Sequence, residues 1–85
     1  MKHAIITGAS SGIGTEIARV FSQNQWKTTL VARNEERLKS LCDELENASY
    51  KICDLSDAKQ VEKLGAELAN SPIDALVNNA GIFRV

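Results

Sequence analysis

Thr7-Gly8-Ala9-Ser10-Ser11-Gly12-Ile13-Gly14 lies between the apolar run Ala4-Ile5-Ile6 and a pattern in which Ile13, Ile17, Val20 and Phe21 recur at helical spacing. That order predicts a short buried strand, a glycine-rich turn and an amphipathic helix. Gly8 suits a tight turn, Gly12 leaves the backbone open to close approach, and Gly14 lets the helix pack against the strand. The amides that open such a helix carry partial positive charge, so the junction reads as a cradle for a pyrophosphate. Ser10 and Ser11 add hydroxyl donors beside it.

The same alternation continues outward. Thr28-Thr29-Leu30-Val31-Ala32 is β-branched and apolar and reads as a second strand. Asn34 then caps a helix with Glu35 and Glu36 in its first turn and an apolar stripe of Leu38, Leu41, Cys42 and Leu45, ending near Asn47. Tyr50-Lys51-Ile52-Cys53 is a shorter, more polar third strand, as suits a sheet edge. Ser56 or Asp57 opens a third helix with Ala58, Val61, Leu64 and Leu68 turned inward, and Asn70-Ser71-Pro72 stops it before a fourth strand, Ile73 to Val77. Alternating strands and helices without a composition break predict an α/β fold of Rossmann type, one dinucleotide-binding domain over residues 1–85. Right-handed crossovers give the strand order 3-2-1-4, with helices on both faces of a parallel sheet. The reversal opens a crevice between strands one and four, where ligands of such sheets bind.

Composition narrows the class. Ten basic residues against eleven acidic ones leave a net charge of −1, which gives no electrostatic footprint for nucleic acid or an anionic membrane. The apolar runs are only a few residues long, far short of the roughly 20 that span a bilayer, and Lys2-His3 leads directly into the first strand with no secretory signal before it. Cys42 and Cys53 are too few for a disulfide framework or a metal site, and a cytoplasmic setting is expected. His3 reads as a surface residue at a strand start, and Trp26 as a cover over the end of the core.

The spacing Gly8-x-x-x-Gly12-x-Gly14 departs from the G-x-G-x-x-G dinucleotide fingerprint. With Thr7 ahead of it, it resembles the cofactor loop of the short-chain dehydrogenase/reductase family. Asp54-Leu55 after the third strand and Asn78-Asn79-Ala80-Gly81 after the fourth resemble that family's later motifs in the same order. The resemblance spans essentially the whole chain but only the front part of a family member. It implies a nicotinamide dinucleotide held by Gly8, Ser10, Ser11, Gly12, Ile13 and Gly14 on the phosphate side. It further implies that Asp54 accepts from the adenine amino group, that the Leu55 amide helps hold the ring, and that Ala80 and Gly81 leave room for the nicotinamide-side ribose while the asparagine amides brace the central strands. Each motif also has a plain structural reading: Asp54 as a turn aspartate capping the next helix, and Asn78-Asn79 as an ordinary turn.

Cofactor choice is read at the end of the second strand. A carboxylate there would take the ribose hydroxyls of NAD(H), but the chain offers Ala32-Arg33-Asn34. Arg33 can fork onto a ribose 2′-phosphate, which favours NADP(H) over NAD(H). The plainer alternative is a solvated arginine paired with Glu35 or Glu36. The family's catalytic Ser and Tyr-x-x-x-Lys set is not found in these residues: the only tyrosine, Tyr50, has Asp54 four positions on. No catalytic residue is therefore assigned. The chain is expected to be the cofactor-binding front half of an NADP(H)-dependent oxidoreductase, self-associating through an exposed sheet edge or face. The rival reading is a non-catalytic nucleotide-sensing or protein-interaction module.

Overall fold

The computed structural model describes residues 1–79. Its elements follow in the order β1 (His3–Thr7), α1 (Gly12–Gln23), β2 (Lys27–Ala32), α2 (Glu35–Glu44), β3 (Ala48–Ile52), α3 (Ala58–Leu68) and β4 (Ala75–Asn78). The four strands form one parallel sheet in the order β3-β2-β1-β4. Ile5 pairs with Thr29 on one side and Leu76 on the other, and Thr7 pairs with Val31 and Asn78. The carboxyl ends of β1, β2 and β4 therefore lie level, and the loops that leave them share one rim.

Strand periodicity divides the core in two. Successive residues point to opposite faces, so Ile6 and Leu30 join Ala18, Leu38 and Leu41 beneath α1 and α2, while Ile5, Val31 and Cys53 meet Leu64 of α3. β1 is buried along its whole length, which is why its middle residues Ala4-Ile5-Ile6 are all apolar rather than alternating. Each fully buried Ile or Leu contributes about 1.5–3 kcal/mol relative to exposure. Phe21 and Trp26 close one end of this core edge to face, with ring centroids 4.8 Å apart, and Lys2 lies over the indole.

Four expectations are corrected. α1 meets the sheet through Gly14 and Ala18, so Ile13 and Val20 are turned outward at 72% and 56% exposure, and only Ile17 and Phe21 pack against the core. Small side chains let the helix axis approach the strands, and the buried face centres on them. α3 bears on the sheet through Leu64 and Leu68, leaving Ala58 and Val61 exposed. His3 is buried: Nδ1 donates to the Pro72 carbonyl at 3.0 Å and Nε2 accepts from the Thr29 hydroxyl at 2.7 Å. The carbonyl can only accept, so Nδ1 carries a proton, and in the neutral ring Nε2 is then the acceptor. β3 also begins at Ala48, two residues before the expected start.

Candidate functional site

The turn after β1 is built as its residue types require. Gly8 adopts φ 67°, the left-handed region that a side chain would strain, and its N–H donates to the Val31 carbonyl at 2.8 Å. A β-carbon placed on Gly14 would stand 2.2 Å from the Gly8 carbonyl oxygen, so α1 sits against the turn only because Gly14 lacks one. In front of Gly12 the space is open: a β-carbon there would meet nothing within 4 Å.

Side chains from the turn itself, α1, α2 and the end of β4 hold its carbonyls. The Gly8 carbonyl accepts from Asn79 Nδ2 at 3.2 Å and from the Ser11 hydroxyl at 3.1 Å, and the Ala9 carbonyl accepts from the Thr15 hydroxyl at 2.7 Å. The Ser10 carbonyl accepts from Arg37 Nη1 at 3.2 Å. Ser11, the residue before α1, makes no side-chain cap bond, whereas Asn34 caps α2 through the Arg37 N–H and Asp57 caps α3 through the Lys59 and Gln60 N–H groups. Helix dipole and first-turn amides of α1 are thus offered to the rim without a side-chain acceptor.

A cleft of about 830 Å³ opens on this rim. It brings together Gly8, Ser10 and Ser11 of the turn, Arg33 and Asn34 after β2, Asp54 and Leu55 after β3, and Asn79 after β4. Gly12 and Ile13 instead line a separate, mainly apolar groove along α1, of about 580 Å³, together with Glu16, Ile17, Val20 and Phe21. Gly14 is buried behind the turn. Ala80 and Gly81 lie outside the described residues.

Charge in the cleft is opposed across it. Asp54 accepts from the Ser56 hydroxyl at 2.7 Å and the Ser56 N–H at 3.0 Å. These two bonds hold its carboxyl below the ordinary carboxylate value, with the positive charge of Arg33 a smaller cause in the same direction. Among the described residues Arg33 makes no ion pair with Glu35 or Glu36, and Glu35 accepts from the Tyr50 hydroxyl at 3.0 Å instead. That bond, aided by burial and the charge of Glu35, pushes the Tyr50 phenol above its ordinary value. Tyr50 therefore serves the α2–β3 contact, away from the turn. Sequence reading did not mention Thr15 or Arg37, and gave Cys53 and Ser56 no part in the site. Cys53 and Ser56 flank the named Asp54-Leu55 pair, so they were within reach of the motif, but nothing local marks Thr15 or Arg37 as braces of a distant carbonyl.

The short chain dehydrogenase family model matches residues 2–85. The chain belongs to the short-chain dehydrogenase family. It is 42% identical over 82 residues to the 3-oxoacyl-(acyl-carrier-protein) reductase FabG of Rickettsia prowazekii, covering 95% of this chain and 33% of that protein. Among solved structures it superposes on an actinorhodin polyketide ketoreductase with NADPH at a TM-score of 0.83 and 38% identity, over 95% of this chain and 33% of the other. A metagenomic short-chain oxidoreductase in complex with NADP gives 0.87 and 34%, over 95% and 39%. The chain thus spans about a third of the length of the curated relatives it matches. As in that family of oxidoreductases, its fold is a Rossmann-like parallel sheet. No helix among the described residues is long and apolar enough to cross a membrane, and among them no group of His, Cys, Asp and Glu is placed to hold a metal.

Proposed function

We propose that this chain is the NADP(H)-binding part of a short-chain oxidoreductase acting on a carbonyl or alcohol. The observation that carries this is the convergence of a glycine turn, an uncapped helix start, Arg33 and Asp54 on one cleft. The Gly8, Ser10 and Ser11 side of the cleft, at the uncapped start of α1, suits a pyrophosphate, and a cation at the end of β2 fits a 2′-phosphate better than a pair of ribose hydroxyls. The solved relatives carrying NADPH and NADP support the same cofactor. Bound there, the nicotinamide would supply or accept a hydride. The chain's own residues would bind and orient: the Gly8–Gly14 turn at the pyrophosphate, Arg33 and Asn34 at the adenosine ribose, Asp54 and Leu55 at the adenine, Asn79 and Ala80-Gly81 on the nicotinamide side. The 85 residues contain no Tyr-x-x-x-Lys set, so the chain by itself is expected to bind cofactor without turnover. We further place it in the cytoplasm, where Cys42 and Cys53, both unpaired, stay reduced.

Titration of the chain and of Arg33→Ala with NADPH and NADH tests the assignment. Losing a charge-assisted bond to phosphate should weaken NADPH about tenfold to a hundredfold while sparing NADH. Equal losses for the two cofactors would remove Arg33 from the 2′-phosphate, and no binding of either would end the reading.

A further inference from the structure

Arg37 stands in the first turn of α2, yet its guanidinium leaves that helix. Its backbone N–H donates to the Asn34 side chain at 3.1 Å, and its Nη1 reaches the carbonyl of Ser10, 27 residues earlier in the chain, at 3.2 Å. Three successive carbonyls of the turn are held in this way, Gly8 by Asn79, Ala9 by Thr15 and Ser10 by Arg37, each by a side chain from a different segment. Carbonyl oxygens are the groups an approaching anion would be repelled by, so a turn that receives phosphate must keep them directed away. Asn79 and Thr15 do this with neutral groups, and Arg37 does it with a positive charge.

We propose that Arg37 is a positioning residue: by holding the Ser10 carbonyl it clips the glycine turn to α2 and sets the shape that receives the pyrophosphate of either nicotinamide dinucleotide. The proposal rests on the reading of the cleft as a dinucleotide site, and it assigns Arg37 a role different from that of Arg33. Arg33 lines the cleft and selects between cofactors; Arg37, which is not among the residues lining the cleft, acts through Ser10 on both cofactors alike. Because α2 also presents Arg33 and Asn34 at its start, the clip makes the phosphate turn and the adenosine-ribose end of the cleft one rigid unit.

The test compares the chain with Arg37→Ala, Arg37→Lys and Arg33→Ala by calorimetric titration with NADPH and NADH, and by ¹H-¹⁵N spectra without ligand. Arg37→Ala should weaken both cofactors by the same factor, about three- to tenfold, as expected for an exposed charge-assisted bond. Arg37→Lys, which keeps a charge and a donor, should recover part of the loss. The Ser11 amide resonance, next to the released carbonyl, should move in ligand-free Arg37→Ala, with the thermal midpoint unchanged. Unaltered binding of both cofactors and an unmoved Ser11 amide would overturn the proposal, and so would a loss confined to NADPH, which would put Arg37 on the 2′-phosphate itself. If Arg37→Ala loses its cooperative melt, the Lys variant and its Ser11 amide decide. A chain that binds neither cofactor, but whose Ser11 amide still moves on substitution, would sink the dinucleotide reading and leave the clip standing.

Discussion

At the scale of single residues, the turn after β1 is governed by what cannot be added to it. A methyl group on Gly14 would press to 2.2 Å of the Gly8 carbonyl and to 2.8 Å of Asn79 Nδ2, and the first of these is backbone that cannot swing aside. Gly14→Ala should therefore destabilise the chain by roughly 2–3 kcal/mol or more, as overpacking does, a large share of a domain's stability. A urea melt of the two proteins measures it, and an unchanged midpoint would show that α1 can back away from β1 at little cost. His3 teaches the complementary lesson. Its imidazole is satisfied by Pro72 and Thr29, and its backbone N–H donates to the Asp74 carboxylate at 2.9 Å. All of these partners are contributed by segments that meet β1 only in the folded sheet, so nothing in Lys2-His3-Ala4 announces a buried ring.

At the scale of elements, caps and breakers were legible because they act over a few residues. Asn34 and Asp57 each accept from backbone N–H groups two or three positions on, which their side-chain lengths dictate. Helix rotation was less legible. Apolar spacing in α1 is compatible with either Ile13 or Gly14 at the centre of the buried face, and close approach of the helix to β1 selected the smaller residue. α3 shows how propensity and packing separate: it touches the sheet through Leu64 and Leu68, and Gly65 between them is exposed, with no atom beyond its own helix backbone and chain neighbours within 4 Å of where its β-carbon would stand. Gly65→Ala should then stabilise by about 0.5–1 kcal/mol, since only the entropy and propensity terms of the helix change. The readout is the midpoint of thermal or urea unfolding; a decrease would mean that this face of α3 is covered in solution.

At the scale of the whole molecule, apolar surface is left open at one side of the sheet. Among the described residues β4 pairs only with β1, and its Leu76, on the face shared with Ile5, is 66% exposed. Such an edge invites pairing with another chain. We expect the 85-residue chain to self-associate there, so that Leu76→Lys shifts a sedimentation profile toward monomer without lowering NADPH binding. A wild-type chain that stays monomeric across a concentration series would refute this.

Strand order, the two-faced core and most of the cleft could be read from residue order alone, because glycine dihedrals, strand periodicity and right-handed crossovers are local or topological constraints written in neighbouring positions. The turn at Gly8, the cation at Arg33 and the carboxylate at Asp54 each follow the end of a strand, and a parallel sheet gathers strand ends on one rim. Which face α1 turns inward, the burial of His3, and the recruitment of Thr15, Arg37 and Asn79 to three adjacent carbonyls were settled only by packing. Those outcomes depend on distances between segments as much as 71 residues apart, and no spacing along the chain encodes a distance through space.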